Sequence, residues 1–302
     1  MIEKYYDGAI EQVAAGLGTV EKNYLLVRYS GQFSVENLND TKQLEKNEDI
    51  FVQVHEFETG EITCAYEPYL TMICDGFRRY MTGTFEEFME TCDVYYLHRP
   101  VLLGYFNQDN TGREEIILLD EVAYEQERML AALERMLCAI ADRHPVLFVL
   151  NRFQLASKST IQLTARFLKC ENCNIGLVLG VSDIQAMPEF LVPDWEMLYE
   201  TLDDGSKIYH IGNSGRKKEE TIDDEKYVDY GSEKVYRKLQ NMVEFLDFDQ
   251  AAYYLETIER KIKFDNLLVD DAARFRMWLL FVKVSILRQD IPKALEICED
   301  LE

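Results

Sequence analysis

The chain has 302 residues, 47% of them hydrophobic, with 32 basic and 55 acidic side chains and a net charge of -23. Length and apolar content allow two domains with buried cores. The excess of acids argues against a nucleic-acid surface in this segment, because phosphate binding needs clustered Lys and Arg. The sequence shows no signal peptide and no run of roughly 20 apolar residues, and its cysteines are scattered. We therefore expect a cytoplasmic protein that contacts no membrane.

The first part of the chain alternates between helix and strand patterns. Apolar spacing predicts a helix over residues 1–20. Strands are predicted at Asn23–Ser30 and Ile50–Phe57, with a polar helix over residues 34–48 between them. A further helix is predicted over Pro68–Tyr80, because proline is favoured in the first turn of a helix. The aromatic-rich stretch that follows is predicted to be loop.

The middle of the chain has the most regular patterns. Apolar residues three and four apart predict a long amphipathic helix over Glu121–Arg143. Unbroken apolar runs predict buried strands at Val146–Leu150 and Ile175–Val181, separated by a helix over Ser159–Lys169. This alternation predicts a three-layer α/β domain with a mostly parallel sheet.

The end of the α/β pattern is marked by a change in composition. A final strand or hairpin is predicted around Leu198–Tyr199 and Lys207–Ile211. Polar and charged residues then dominate, which predicts a linker. We therefore divide the chain into an α/β domain at 1–212, a charged linker at 213–232 and an all-helical segment at 233–302.

Two passages of the helical segment resemble each other. Leu246–Ala252 and Gln289–Ala294 each have an Asp, a short turn and an alanine that opens an amphipathic helix. Ala251 and Ala294 lie 43 residues apart, a spacing that is compatible with helical-hairpin repeats. The last predicted helix lacks the polar cap of a complete array, so we expect the repeats to be truncated.

The strand Val146–Leu150 is followed by an unusual pair, Asn151 and Arg152. In P-loop NTPases such a strand ends in acidic residues that hold Mg²⁺. An amide contacts a hydrated metal only weakly, and a guanidinium repels it. The pair therefore indicates NTPase architecture without NTPase chemistry.

The stretch Glu125–Asp183 resembles the ATPase module of STAND-type NTPases. This AAA-like domain occurs in large bacterial LuxR-type transcriptional regulators, where it precedes tetratricopeptide-like repeats. Leu150–Thr160 follows the family's strand, turn and helix start without gaps, and Tyr66–Tyr69 resembles the start of another family helix. The family's acidic pair falls on Asn151 and Arg152.

The resemblance places the phosphate-binding loop after the first strand, over Gly31–Leu38. A working loop needs glycines that expose backbone N–H groups, a lysine for the phosphates and a Ser or Thr for Mg²⁺. Gly31 is retained, but Glu36, Asn37 and Leu38 stand where the family has glycine, lysine and the hydroxyl residue. We expect no triphosphate binding by this route, and hence no catalytic residue, cofactor or metal.

The resemblance thus implies a three-layer, P-loop-NTPase-like parallel sheet followed by tetratricopeptide-like repeats. The missing motifs favour a pseudo-ATPase that acts as a regulatory or scaffold protein in signalling or transcription control. Its partner would be a protein bound by the repeats, and the sequence carries no signal for an oligomeric state.

Two alternatives stay open. One is a nucleotide-binding STAND-type switch with an unconventional phosphate site that uses Asp183 or Asp120. The other is a structural module whose α/β part binds nothing.

Overall fold

The structure is a computed structural model that describes most of the chain. The described residues are 2–19, 23–29, 35, 48–58, 60–109, 121–170, 174–182, 188–202, 208–211, 229–265 and 267–301. The helix predicted over 34–48 and the linker predicted over 213–232 lie largely outside them. Within the described residues, no helix has both the length and the apolar character needed to cross a membrane.

A parallel sheet forms the centre of the α/β part. Its five described strands are β1 (Asn23–Tyr29), β2 (Phe51–Glu56), β3 (Val146–Asn151), β4 (Ile175–Ser182) and β5 (Ile208–Ile211). They lie in the order β2-β3-β4-β1-β5, and all neighbours pair in parallel. Because both faces of β3 and β4 are buried, these two strands read as continuous apolar runs. The predicted α/β class with a parallel sheet is therefore confirmed.

Helices lie on both sides of the sheet. On one side, α1 (Ile2–Gly16) shares a core with the inward side chains of β1, β3 and β4. The helices on the other side are α2 (Tyr69–Tyr80), α3 (Phe85–Thr91), α4 (Arg99–Asn107), α5 (Val122–Ala141), α6 (Lys158–Lys169) and α7 (Val192–Leu202). Their apolar faces form the larger core, in which Phe148 of β3 is fully buried.

Two of the predicted elements are wrong, whereas the other described elements agree with prediction to within a few residues. The aromatic-rich stretch predicted as loop contains α3 and α4. A capping box between Thr84 and Glu87 starts α3, and the two phenylalanines of this helix pack on Phe77. Leu198–Tyr199 lies in α7 rather than in a strand, because that helix buries Trp195 and Leu198 on one face.

The described residues after β5 contain four helices. They are α8 (Glu233–Glu244), α9 (Phe248–Phe264), α10 (Asp271–Leu287) and α11 (Ile291–Glu299). They form two hairpins: α8–α9, called the first hairpin, and α10–α11, called the second hairpin. The hairpins share a core in which Leu239, Leu255 and Trp278 are buried.

The turns of the two hairpins have the same backbone geometry at a spacing of 43 residues. Leu246 and Gln289 both have positive φ angles, of 67° and 61°. Asp247 and Asp290 follow with φ/ψ of -86°/62° and -89°/71°. In each turn the N–H of the aspartate donates a 2.8 Å hydrogen bond to the carbonyl five residues earlier. The passages that resemble each other in sequence therefore fold into equivalent turns.

The first hairpin docks on the start of α6, just after the loop that follows β3. The carboxylate of Asp247 accepts a 3.1 Å hydrogen bond from the backbone N–H of Ser159. The side-chain oxygen of Gln250 accepts one of 3.1 Å from the N–H of Lys158, whose ammonium also pairs with Asp249. Because the first N–H groups of a helix have no partner within the helix, these contacts satisfy donors that would otherwise be buried unpaired.

Asp247 makes this docking contact sensitive to pH. Its burial raises the pKa of the carboxyl to about 6, with Lys158 opposing the shift and Asp249 adding to it. A raised carboxyl pKa means that the folded state holds the proton more tightly than the unfolded state does. The contribution of this group to stability is therefore fully present below about pH 4 and is lost as pH rises through 6, by at most about 3 kcal/mol.

Asp247→Asn keeps an oxygen acceptor for Ser159 but cannot titrate. We expect its free energy of unfolding, relative to that of the native chain, to increase as pH rises from 4 to 7. Urea unfolding at both pH values, followed by circular dichroism, measures the difference. A difference that stays constant across this window would contradict the assignment.

Candidate functional site at the carboxyl edge of the sheet

The strand order determines where a site is expected. The chain passes from β1 to β2 in one direction along the sheet, and from β2 through β3 and β4 to β5 in the other. Right-handed crossovers place connections of opposite direction on opposite faces of the sheet. The direction of the strand order therefore changes between the neighbouring strands β1 and β4. Parallel α/β sheets bind ligands at such a point, outside the carboxyl ends of the strands.

Asn151, the last residue of β3, is fully buried at this edge. The hydroxyl of Tyr29, the last residue of β1, donates a 2.7 Å hydrogen bond to its Oδ1. The bond spans β4, where Gly180 lies beside Asn151. A Cβ atom at Gly180 would be 2.6 Å from that Oδ1 and 2.4 Å from the hydroxyl of Tyr6. The absence of a side chain at Gly180 therefore leaves the space in which these polar groups meet.

The two tyrosines at this edge keep their protons at neutral pH. Burial raises the pKa of Tyr29 to about 12, although the nearby Arg152 opposes the shift. Burial also raises the pKa of Tyr6 well above its usual value, and Tyr29 and Glu56 add to that shift. The cluster on the α1 side of the edge thus consists of neutral phenols and a neutral amide.

Arg152 is engaged within the chain. Its backbone has a positive φ of 52°, and its Nε lies 3.3 Å from Oε1 of Glu56 at the end of β2. The other oxygen of that carboxylate accepts a 3.2 Å hydrogen bond from the N–H of Val35, in the segment that follows β1. The ion pair therefore joins the ends of β2 and β3, and its carboxylate also binds the backbone of Val35.

The turn after β3 is also fixed in place. The side-chain oxygen of Gln154 accepts a 3.1 Å hydrogen bond from the N–H of Ser182 at the end of β4. Phe153 is fully buried, with its ring edge-to-face against Phe57 and Trp195. The described side chains at this edge thus offer neutral hydrogen-bonding groups and one ion pair, an arrangement suited to holding strand ends together.

Asn151 ends β3, and Arg152 follows it at the same edge of the sheet. Outside the described residues lie the phosphate-loop positions Gly31, Glu36, Asn37 and Leu38 and the alternative acids Asp120 and Asp183. Among the residues that are described, no group of three or more His, Cys, Asp or Glu side chains is arranged to hold a metal ion.

Sequence reasoning missed Tyr29, Glu56 and Gly180. Each leaves a weak sign in the sequence pattern. Tyr29 and Glu56 are the last residues of their strands, and Gly180 interrupts an apolar run. In a parallel sheet, strand ends converge on one edge, and a glycine within a strand often marks a close approach. Neither signal identifies its partner, because the partners lie on strands far apart in sequence.

Comparison with known proteins adds no family to this description. No protein-family model, no curated protein and no solved structure matches the chain. A function must therefore be argued from the sheet edge and the helical hairpins themselves.

Proposed function

We propose that this chain is a non-catalytic regulatory or scaffold protein of bacterial signalling or transcription control. Its α/β part would be a STAND-type, AAA-like pseudo-ATPase, and its helical hairpins would bind a protein partner. The observation that carries the proposal is the buried hydrogen bond between Tyr29 and Asn151. In an ATPase of this family the phosphate loop follows β1 and the Mg²⁺-holding acids end β3. In this chain the same two strand ends meet through neutral side chains.

The strand order supports the likeness to AAA-like modules. β4 lies between β1 and β3, so the strand after which the resemblance places the phosphate loop and the strand at whose end it places the acidic pair flank a common neighbour. The ends of these two strands therefore lie close together at the sheet edge. Ser157, where the resemblance places the start of the next helix, caps α6 by accepting a hydrogen bond from the N–H of Thr160.

The charge at the edge supports a module without catalysis. A metal ion near the end of β3 would approach the guanidinium of Arg152, which is held there by its ion pair with Glu56. Because the two charges of this pair offset each other, Glu56 does not present an unpaired carboxylate to Mg²⁺.

The helical part supports a role in protein binding. The two hairpins have equivalent turns and a shared core, which is how helical-repeat arrays build extended surfaces. The first hairpin is tied by Asp247 and Gln250 to the start of α6, the helix that follows the turn after β3. A partner on the hairpins would therefore be held in a defined position relative to the sheet edge.

Calorimetric titration with ATP and Mg²⁺ tests the proposal. We expect the native chain to show no binding tighter than about 1 mM, the weakest range that calorimetry resolves. The variant Asn151→Asp, Arg152→Glu, titrated alongside, should also stay silent, because the acids alone do not restore a phosphate-binding lysine. Circular dichroism of both proteins confirms that silence reflects the folded state. Micromolar, Mg²⁺-dependent binding by the native chain would overturn the proposal in favour of a nucleotide switch.

A further inference from the structure

Two thiols lie in contact where α5 and α6 run side by side. The sulfur of Cys138, in the last turn of α5, is 3.6 Å from the sulfur of Cys170, which directly follows α6. Both side chains are partly exposed, and neither belongs to a disulfide. The sulfurs of a disulfide are about 2.05 Å apart, so these two need to approach by roughly 1.6 Å to be bonded. Rotation of the two side chains can supply a movement of this size.

An ion pair one turn away fixes the register of the two helices. The Nε of Arg166 on α6 donates a 2.7 Å hydrogen bond to Oε2 of Glu134 on α5, and Arg166 also pairs with Glu127. Cys138 and Cys170 each lie four residues beyond a member of the Glu134–Arg166 pair, which is about one helical turn. Because both helices advance by the same step, the contact between the thiols follows from the packing of α5 on α6.

The environment of Cys138 decides which thiol reacts first. Burial raises the pKa of the Cys138 thiol well above its usual range, and the adjacent Cys170 adds to the shift. A thiolate is the form that attacks an oxidant, so Cys138 is a poor first nucleophile. Cys170 is therefore the thiol that attacks first. A protonated Cys138 can still complete a disulfide if its proton leaves with the displaced group.

We infer that Cys138 and Cys170 form a redox-sensitive modification site, at which hydrogen peroxide produces a disulfide between α5 and α6. In the first step the sulfur of Cys170 attacks a peroxide oxygen and the O–O bond breaks, which gives a sulfenic acid and one water. In the second step the sulfur of Cys138 bonds to that of Cys170 and the S–O bond breaks. The hydroxyl group leaves with the Cys138 proton as a second water. The thiol pair loses two electrons and two protons, and the peroxide gains both.

Hydrogen peroxide suits this site better than other reagents of thiols. It is small enough to reach a partly buried sulfur, whereas oxidised glutathione has to bring a whole peptide to it. A structural zinc ion takes four ligands, and in the described part of the chain no group of three or more His, Cys, Asp or Glu is arranged to hold a metal. Disulfides of cytoplasmic proteins are typically transient and redox-sensing, which fits a pair that is reduced at rest. The inference does not depend on the proposed partner binding.

Peptide mapping of the full chain tests the site. The reduced chain is treated with a small molar excess of hydrogen peroxide, its remaining thiols are alkylated, and it is digested without reductant by trypsin and a glutamate-specific protease. We expect mass spectrometry to find residues 136–143 linked to residues 170–171, and dithiothreitol to release them. Cleavage after Glu171 separates Cys170 from Cys173, its partner in the Cys-X-X-Cys sequence, which lies outside the described residues.

Cys138→Ser identifies the thiol that reacts first. Without the second thiol, the sulfenic acid at Cys170 has no adjacent sulfur with which to condense. We expect dimedone, which traps sulfenic acids, to label Cys170 in this variant about tenfold more than in the native chain. A purely structural role of Cys138 would not change this labelling. Circular dichroism of the variant confirms that it is folded.

Cys298→Ser is the matched control, because it removes an exposed thiol on α11. Its linked peptide should form as in the native chain. A peptide that joins Cys170 to Cys173 instead would overturn the inference. Absence of any link under conditions that oxidise Cys298, or equal dimedone labelling of Cys170 in the native chain and in Cys138→Ser, would also overturn it.

Discussion

Asn151→Asp is expected to lower the free energy of unfolding at pH 7 by about 3–5 kcal/mol, the typical cost of an uncompensated charge in a protein interior. Asn151 is fully buried at the end of β3, and the Tyr29 hydroxyl donates a 2.7 Å hydrogen bond to its side chain. The hydrogen bond from the neutral Tyr29 hydroxyl does not replace the hydration that a carboxylate loses on burial. Because burial raises a carboxyl pKa, the loss should shrink as pH falls towards 4. Urea unfolding at pH 7 and pH 4.5 measures both effects.

Tyr29→Phe provides the matched control for this position. Alone, it should cost about 1–2 kcal/mol, because it removes a hydrogen bond from a buried acceptor. Combined with Asn151→Asp, it should cost more than the sum of the two changes, since a carboxylate needs that donor more than an amide does. If Asn151→Asp were as stable as the native chain at pH 7, the end of β3 would tolerate a charge. That result would contradict the buried, neutral strand ends on which the pseudo-ATPase proposal rests.

Trp278→Ala is expected to cost about 3–5 kcal/mol, the range seen when a large aromatic side chain is removed from a core. Trp278 is 3% exposed in the core shared by the two hairpins. Phe275→Ala is the matched control, because it truncates an aromatic residue that lies three positions earlier on α10 and is 51% exposed. That change should cost about 0.5 kcal/mol or less. Urea unfolding followed by circular dichroism compares the two. Equal losses would mean that Phe275 is buried rather than exposed in solution.

The elements that the sequence predicts well are those whose apolar pattern is regular and long. β3 and β4 were recognisable as unbroken apolar runs, and α5 as apolar residues three and four apart. The elements that were missed are short. The capping box at Thr84 and Glu87 is visible in the sequence and could have located α3. Leu198–Tyr199 was misassigned because a short apolar run does not separate a strand from a buried helix.

The sheet edge was predicted in part. Asn151 and Arg152 stood out because they occupy the end of a buried strand, where the family resemblance expects acids. Their partners did not stand out, since Tyr29 lies 122 residues from Asn151 in the chain. Which strand ends become neighbours depends on the strand order, and that order is set by how the connecting helices pack on each face.

By itself, the sequence determined the alternation of strands and helices, the absence of an acidic pair after β3 and the likeness of two hairpin turns. All three are local properties, because periodicity, residue type and turn geometry depend on neighbours in the chain. The tertiary structure alone decided that the hydroxyl of Tyr29 bonds to Asn151, that Glu56 pairs with Arg152 and that Trp278 is buried while Phe275 stays exposed. These depend on which distant surfaces pack together, since burial and hydrogen bonding across a sheet are properties of the assembled core.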